Sequence, residues 1–144
     1  MKYLFKEWNA KEEKQMSNER YQRGWEKLME IDGEGGERVI ESLKDVAPDL
    51  GKYVVEFAFG DIYSRKALDL KQRQLVTIAS LTTQGGCEPQ LNVHINAALN
   101  VGLTPNEVIE TITHCVPYTG FPRVLNAIFV AKQIFEERNL KVTN

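Results

Sequence analysis

The chain has 144 residues, 42% of them hydrophobic and 26% charged, with 18 basic and 20 acidic side chains. That length suits a single domain, and a net charge of −2 lacks the basic face that displaces counterions from a nucleic-acid backbone. The apolar stretches fall far short of the ~20 residues a membrane helix needs, and two cysteines cannot build a disulfide scaffold. Lys2, Lys6, Glu7 and the run from Lys11 to Lys14 break up any signal-peptide core. A soluble, cytoplasmic domain is expected, with no nucleic-acid or membrane partner.

Residues 1–16 have no clear place and are set apart as an N-terminal extension. Tyr3, Leu4, Phe5 and Trp8 are too apolar to hang in solvent and are expected to pack on a neighbouring subunit. Residues 17–144 form the domain. Ser17 can cap a helix running to about Ile31, with Tyr21, Trp25, Leu28 and Met29 at helical spacing. Gly33, Gly35 and Gly36 break the chain before a short helix from Glu37 to Val46. Pro48 opens a third helix through Leu50, Val54, Phe57 and Ala58, which Gly60 is expected to end.

Asp69 and Gln72 read as a capping box in front of Leu75, Ile78, Ala79 and Thr82. Gly85 and Gly86 stop that helix, another opens near Pro89, and Gly102 closes it with a left-handed cap. Thr104, Pro105 and Glu107 supply the N-cap, first-turn proline and capping-box acid of a helix reaching about Tyr118. Gly120 and Pro122 turn the chain into a last helix with Leu125, Ile128, Phe129 and Phe135 as its expected apolar stripe. No segment alternates like a strand, so the fold reads as all-α.

Few residues carry chemistry. His94 shares its helical face with Leu91, Ile95, Ala98 and Leu99. Such a histidine is commonly a satisfied core residue; the functional alternative is a general acid or base in an apolar pocket, where desolvation favours the neutral imidazole. Cys87 precedes a helix N-terminus, which favours a thiolate, but a small apolar residue in a turn is the plainer reading. Glu110 and His114 stand one turn apart and suit a surface pair worth ~0.2–0.5 kcal/mol. A metal site is rejected, because His114 and Cys115 are adjacent and cannot face the same way on a helix. Arg65, Arg73 and Arg123 could each bind a carboxylate bidentately. Gly33-Glu34-Gly35-Gly36 lacks the preceding strand and lysine of a phosphate-cradling loop.

The segment Gln90-Leu91-Asn92-Val93-His94-Ile95-Asn96-Ala97-Ala98-Leu99-Asn100-Val101-Gly102-Leu103-Thr104 resembles the central signature of the carboxymuconolactone decarboxylase family. Gly60 to Arg65, Arg73 to Ala79, and Tyr118 to Pro122 with Asn126 and Ala127 are similar to further family stretches. The resemblance implies an all-α helical-bundle subunit in a ring-like oligomer, commonly a hexamer. It also implies a cofactor-free lyase acting on 4-carboxymuconolactone or a related small unsaturated acid in aromatic degradation.

Relatives of the alkylhydroperoxidase D type use Cys-x-x-Cys-x-x-x-His and a glutamate on the preceding helix. This chain keeps Cys87 and His94 but carries Gln90 at the second cysteine. Gln74 falls about where the glutamate would be, given a one-residue difference at Gly85-Gly86. In the lyase reading His94 is proton donor or oxyanion partner, Arg65 or Arg123 orients a carboxylate of a small-molecule substrate, and Tyr118 assists. Gln74 and Gln90 are further substrate-binding candidates. Two other readings stand beside it: a thiol-dependent peroxidase using Cys87, and a non-catalytic oligomeric small-molecule-binding protein.

Overall fold

The computed structural model describes the backbone of residues 2–143 and the side chains of residues 14–143. The regular elements among them are helical. They are α1 (Lys2–Ile31), α2 (Glu34–Leu43), α3 (Pro48–Tyr53), a π-helical segment (Val54–Tyr63), α4 (Leu70–Gln84), α5 (Glu88–Asn100), α6 (Pro105–His114), α7 (Val116–Thr119) and α8 (Phe121–Glu137). The chain gathers into two compact units, one holding Gly36–Arg65 with the residues up to Glu30, the other Ile31–Gly35 with the residues from Lys66 onward.

In the first unit α1 runs through Ser17 instead of starting there. No proline precedes Pro48, and the stretch is rich in Lys, Glu, Gln, Arg and Met, whose straight side chains lose little freedom in a helix. An interior serine does not stop such a run. The Ser17 hydroxyl instead donates to Glu56 Oε1 at 3.3 Å. Residues 2–16 are thus the first half of α1. The packing expected of Tyr3, Leu4, Phe5 and Trp8 lies outside the described side chains.

The second helix starts three residues before Glu37, because Gly33 alone turns the chain, at φ 56°, and leaves Gly35 and Gly36 free to be helical. Nor does Gly60 end the third: the π-helical segment continues to Tyr63. Gly60 and Gly24 serve close packing instead. A Cβ on Gly24 would lie 2.0 Å from the Val55 carbonyl oxygen, and one on Gly60 would lie 2.9 Å from that of Arg20.

The second unit is built around Ile78, Leu91, Ile95, Ala98, Val108 and Ile112 with Ala127, Ala131 and Ile134, all buried. Local signals place its helices well. Asp69 and Gln72 form the capping box of α4, with the Gln72 amide on Asp69 Oδ1 at 2.8 Å and the Asp69 amide on Gln72 Oε1 at 2.9 Å. Thr104 and Glu107 do the same for α6. Gly85, Gly102 and Gly120 close the turns at φ 71°, 97° and 84°, a region that only glycine enters freely.

The face of α8 departs from expectation. Val124, Ala127, Ala131, Ile134 and Phe135 are its buried residues, while Leu125 and Phe129 are exposed, with Phe121 one turn earlier. Alanines at 127 and 131 let the α8 backbone approach the core closely; Phe135 is buried as expected and Ile128 packs against the core, whereas Leu125 and Phe129 point away. No helix among the described residues is long and apolar enough to cross a membrane.

Candidate functional site

The loop of three residues between α4 and α5 folds them into an antiparallel pair. Gln74, Ile78 and Thr82 recur every four residues along α4 and all three are buried, so a polar carboxamide and a hydroxyl share the core-facing stripe with isoleucine. On α5, His94 stands between Leu91 and Ile95. The two helices bring Gln74 Oε1 to 3.3 Å from His94 Nδ1.

Gln74 is completely buried, and its Nε2 has no hydrogen-bond partner among the described residues. Thr82 Oγ1 is in the same condition. Burial pushes His94 down to about 4, because a charged imidazolium loses its hydration there. At neutral pH the ring is therefore uncharged, with one nitrogen donating and the other accepting.

A third buried polar group in this unit went unnoticed in the sequence. Asp32 is 9% exposed, its Oδ1 has no partner among the described residues, and burial pushes its carboxyl up to about 7. The next residue back, Ile31, accepts a hydrogen bond from Asn100 Nδ2 at 3.3 Å. Arg138 ties the same end of α5 by donating to Asn96 Oδ1 and Asn100 Oδ1, each at 3.2 Å. The sequence signal for Asp32 is slight: one acid between Ile31 and Gly33 at a helix end.

The other candidates are spread more widely. Cys87 is buried at the N-cap of α5, and its thiol donates to the Gly85 carbonyl at 3.4 Å. Cys115 is also free and buried, and donates to Thr111 O at 3.4 Å. Gln90 is exposed. Tyr118 is 76% exposed and lies against the His114 ring at 5.7 Å.

Arg123 lies over Gly85, where a Cβ would come within 2.9 Å of its Nε, and donates from Nη1 to Thr83 O at 2.7 Å. Thr83 is nine residues beyond Gln74 on α4, about 13 Å along the axis. The fold therefore places Arg123 at the loop end of the helix pair and the Gln74–His94 contact nearer its middle. Among the described residues there is no group of three or more His, Cys, Asp or Glu side chains that could hold a metal ion.

The first unit holds Arg65, exposed just after the π-helical segment, with its amide on Ile62 O at 3.2 Å. Asp61, in the same motif, is engaged structurally. Arg20 donates from Nε to Asp61 Oδ1 and Oδ2 at 3.1 Å each and holds that carboxyl below the usual carboxylate range. Glu56, 5% exposed, is surrounded by Ser17 Oγ at 3.3 Å, Arg20 Nη1 at 3.6 Å and Lys52 Nζ at 3.9 Å. A lone acid in the run Val54 to Gly60 was the signal for it.

An all-helical chain with one neutral imidazole set against a buried carboxamide defines a class equipped to polarise or protonate a small ligand without a nucleophile dyad. The carboxymuconolactone decarboxylase family model matches residues 48–133, and the chain belongs to that family. It is 37% identical to the 4-carboxymuconolactone decarboxylase of Acinetobacter baylyi, over 83% of this chain and 89% of that protein. The nitrosuccinic acid decarboxylase of Metarhizium robertsii is 29% identical over 72% of this chain and 73% of its own length.

Proposed function

We propose that this protein is a cytoplasmic, cofactor-free decarboxylase of small acids, acting on 4-carboxymuconolactone or a related unsaturated acid in aromatic degradation, with His94 at the reacting end. The observation that carries this reading is the neutral, partly buried imidazole held on Gln74 in a chain two of whose relatives are decarboxylases.

The two relatives' substrates share a chemical logic. In 4-carboxymuconolactone the departing carboxylate sits on the saturated ring carbon next to the double bond that is conjugated with the lactone carbonyl, and in nitrosuccinic acid one carboxylate sits on the carbon that bears the nitro group. When the carbon–carboxylate bond breaks, its electron pair runs into that conjugated group and carbon dioxide leaves. The resulting enolate- or nitronate-like oxygen needs a hydrogen-bond donor, and a carbon of the delocalised anion needs a proton. His94 supplies the polar contact at the developing charge. Arg123 takes the carboxylate that is retained, while Tyr118 and Gln90, both exposed, meet substrate entering from solvent.

A homo-oligomer, as a hexamer, is part of the same proposal. Its support is the exposed apolar row Phe121, Leu125 and Phe129 on α8, with Val76 and Tyr118 also exposed, since apolar surface of that kind marks interaction faces.

Carbon dioxide release from 4-carboxymuconolactone, measured with wild-type and His94→Ala proteins side by side, tests the function. Turnover should fall by about 100-fold or more in the variant, and Cys87→Ser should leave it unchanged. Full turnover by His94→Ala would sink the assignment, and loss of turnover in Cys87→Ser would favour thiol chemistry instead.

A further inference from the structure

The Gln74–His94 contact decides more than the position of a ring. A neutral imidazole has one N–H and one lone pair, and whichever nitrogen faces Gln74 fixes the character of the other. Nδ1 faces the carboxamide, which leaves Nε2 as the nitrogen for a substrate.

Two arrangements satisfy the 3.3 Å contact. With Oε1 on Nδ1, the imidazole proton is on Nδ1, Nε2 presents a lone pair, and the amide nitrogen of Gln74 is stranded in the core with both protons unused. A half-turn of the carboxamide exchanges two groups of nearly equal size. The amide nitrogen then donates to the Nδ1 lone pair, the imidazole proton moves to Nε2, and the carbonyl oxygen is the group left over. Buried N–H groups without acceptors are rarer than under-satisfied carbonyl oxygens, and a stranded donor carries a penalty of about 1–3 kcal/mol. The second arrangement uses one amide proton where the first wastes both.

We infer that Gln74 is a positioning residue whose amide nitrogen donates to His94 Nδ1, so that His94 carries its proton on Nε2 and meets the substrate as a hydrogen-bond donor. This rests on the reading of His94 as the group that faces the reacting end, and it makes that reading specific. A donor suits the oxygen that gathers charge as carbon dioxide leaves; a lone pair at the same place would repel it. The residue type matters because an ionised carboxylate at position 74 could only accept, which would force the proton onto Nδ1 and reverse the polarity of Nε2.

The test is a long-range 15N–1H correlation spectrum of the full-length protein with 15N-labelled histidine at pH 7. The chain has two histidines, and His114→Asn, a surface change, assigns the signals. The expected result is an Nε2-protonated His94 in the wild type. Gln74→Glu should convert it to the Nδ1-protonated form and lower kcat by about 100-fold with little change in KM, a split that a packing defect would not produce. An Nδ1-protonated His94 in the wild type overturns the inference. So does a Gln74→Glu protein whose tautomer and kcat are unchanged. If Gln74→Glu fails to fold, the wild-type spectrum decides alone. The two readings can fail separately: an Nε2-protonated ring without any carbon dioxide release sinks the decarboxylase and leaves the tautomer, whereas release from a protein with an Nδ1-protonated ring does the opposite.

Discussion

The two units treat buried polar groups in opposite ways. In the first, Glu56 is enclosed by a hydroxyl and two cationic side chains, so its charge is answered locally. In the second, Gln74 Nε2, Thr82 Oγ1 and Asp32 Oδ1 are buried without partners among the described residues. A satisfied polar group stabilises a fold or at least does not harm it. An unsatisfied one lowers stability and persists where function requires it. The contrast gives the polar cluster of the first unit a structural task and leaves the unanswered polar groups in the unit that holds the Gln74–His94 contact.

The harshest way to break the first unit is Gly24→Ala. The new Cβ would meet the Val55 carbonyl, oxygen at 2.0 Å and carbon at 2.8 Å, and backbone atoms cannot rotate aside. A loss of about 4 kcal/mol is expected in urea unfolding. A loss under about 1 kcal/mol would show that α1 and the π-helical segment can separate freely.

A gentler pair of substitutions sharpens the comparison. Glu56→Leu removes three partnered interactions and should destabilise by about 1–2 kcal/mol, which thermal unfolding would register. Gln74→Leu removes a stranded amide while costing His94 one bond, so its stability change should lie within about 1 kcal/mol of zero, yet turnover should be lost. Equal destabilisation by the two variants would erase the distinction between answered and unanswered polar groups.

The smallest effect is in the pH dependence, because two groups of the second unit oppose each other. The folded Asp32 holds its proton up to about pH 7, while an unfolded aspartate releases it near 3.9. Its contribution to stability is full below about pH 4 and declines as pH rises to about 7. His94 titrates at about 4 in the fold and near 6.5 when unfolded. Its contribution is full above about 6.5 and declines as pH falls to about 4. Between these limits the two slopes cancel in large part. Asp32→Asn should therefore unmask a melting temperature that rises from pH 4 to 6.5, and His94→Asn one that falls over the same range. Parallel profiles for both variants would contradict the assignment.

What the sequence by itself determined was local. The Asp69–Gln72 and Thr104–Glu107 boxes and the positive-φ glycines at 85, 102 and 120 lie where a reader of the chain would put them, because each involves groups within four residues of one another. The family, and His94 as its polar residue on an apolar stripe, were legible for the same reason: the motif is contiguous.

The tertiary structure decided the rest. Ser17 looked like a cap until Glu56, 39 residues away, gave its hydroxyl another partner. Gly60 looked like a stop until Arg20 needed the space above it. On α8, Phe135 is buried as expected, but small alanines take the closest approach to the core and leave Leu125 and Phe129 outside it. Gln74 and His94 are 20 residues apart, and the proton between them depends on which amide end is stranded. That is a property of burial, which arises only when separate helices exclude water together.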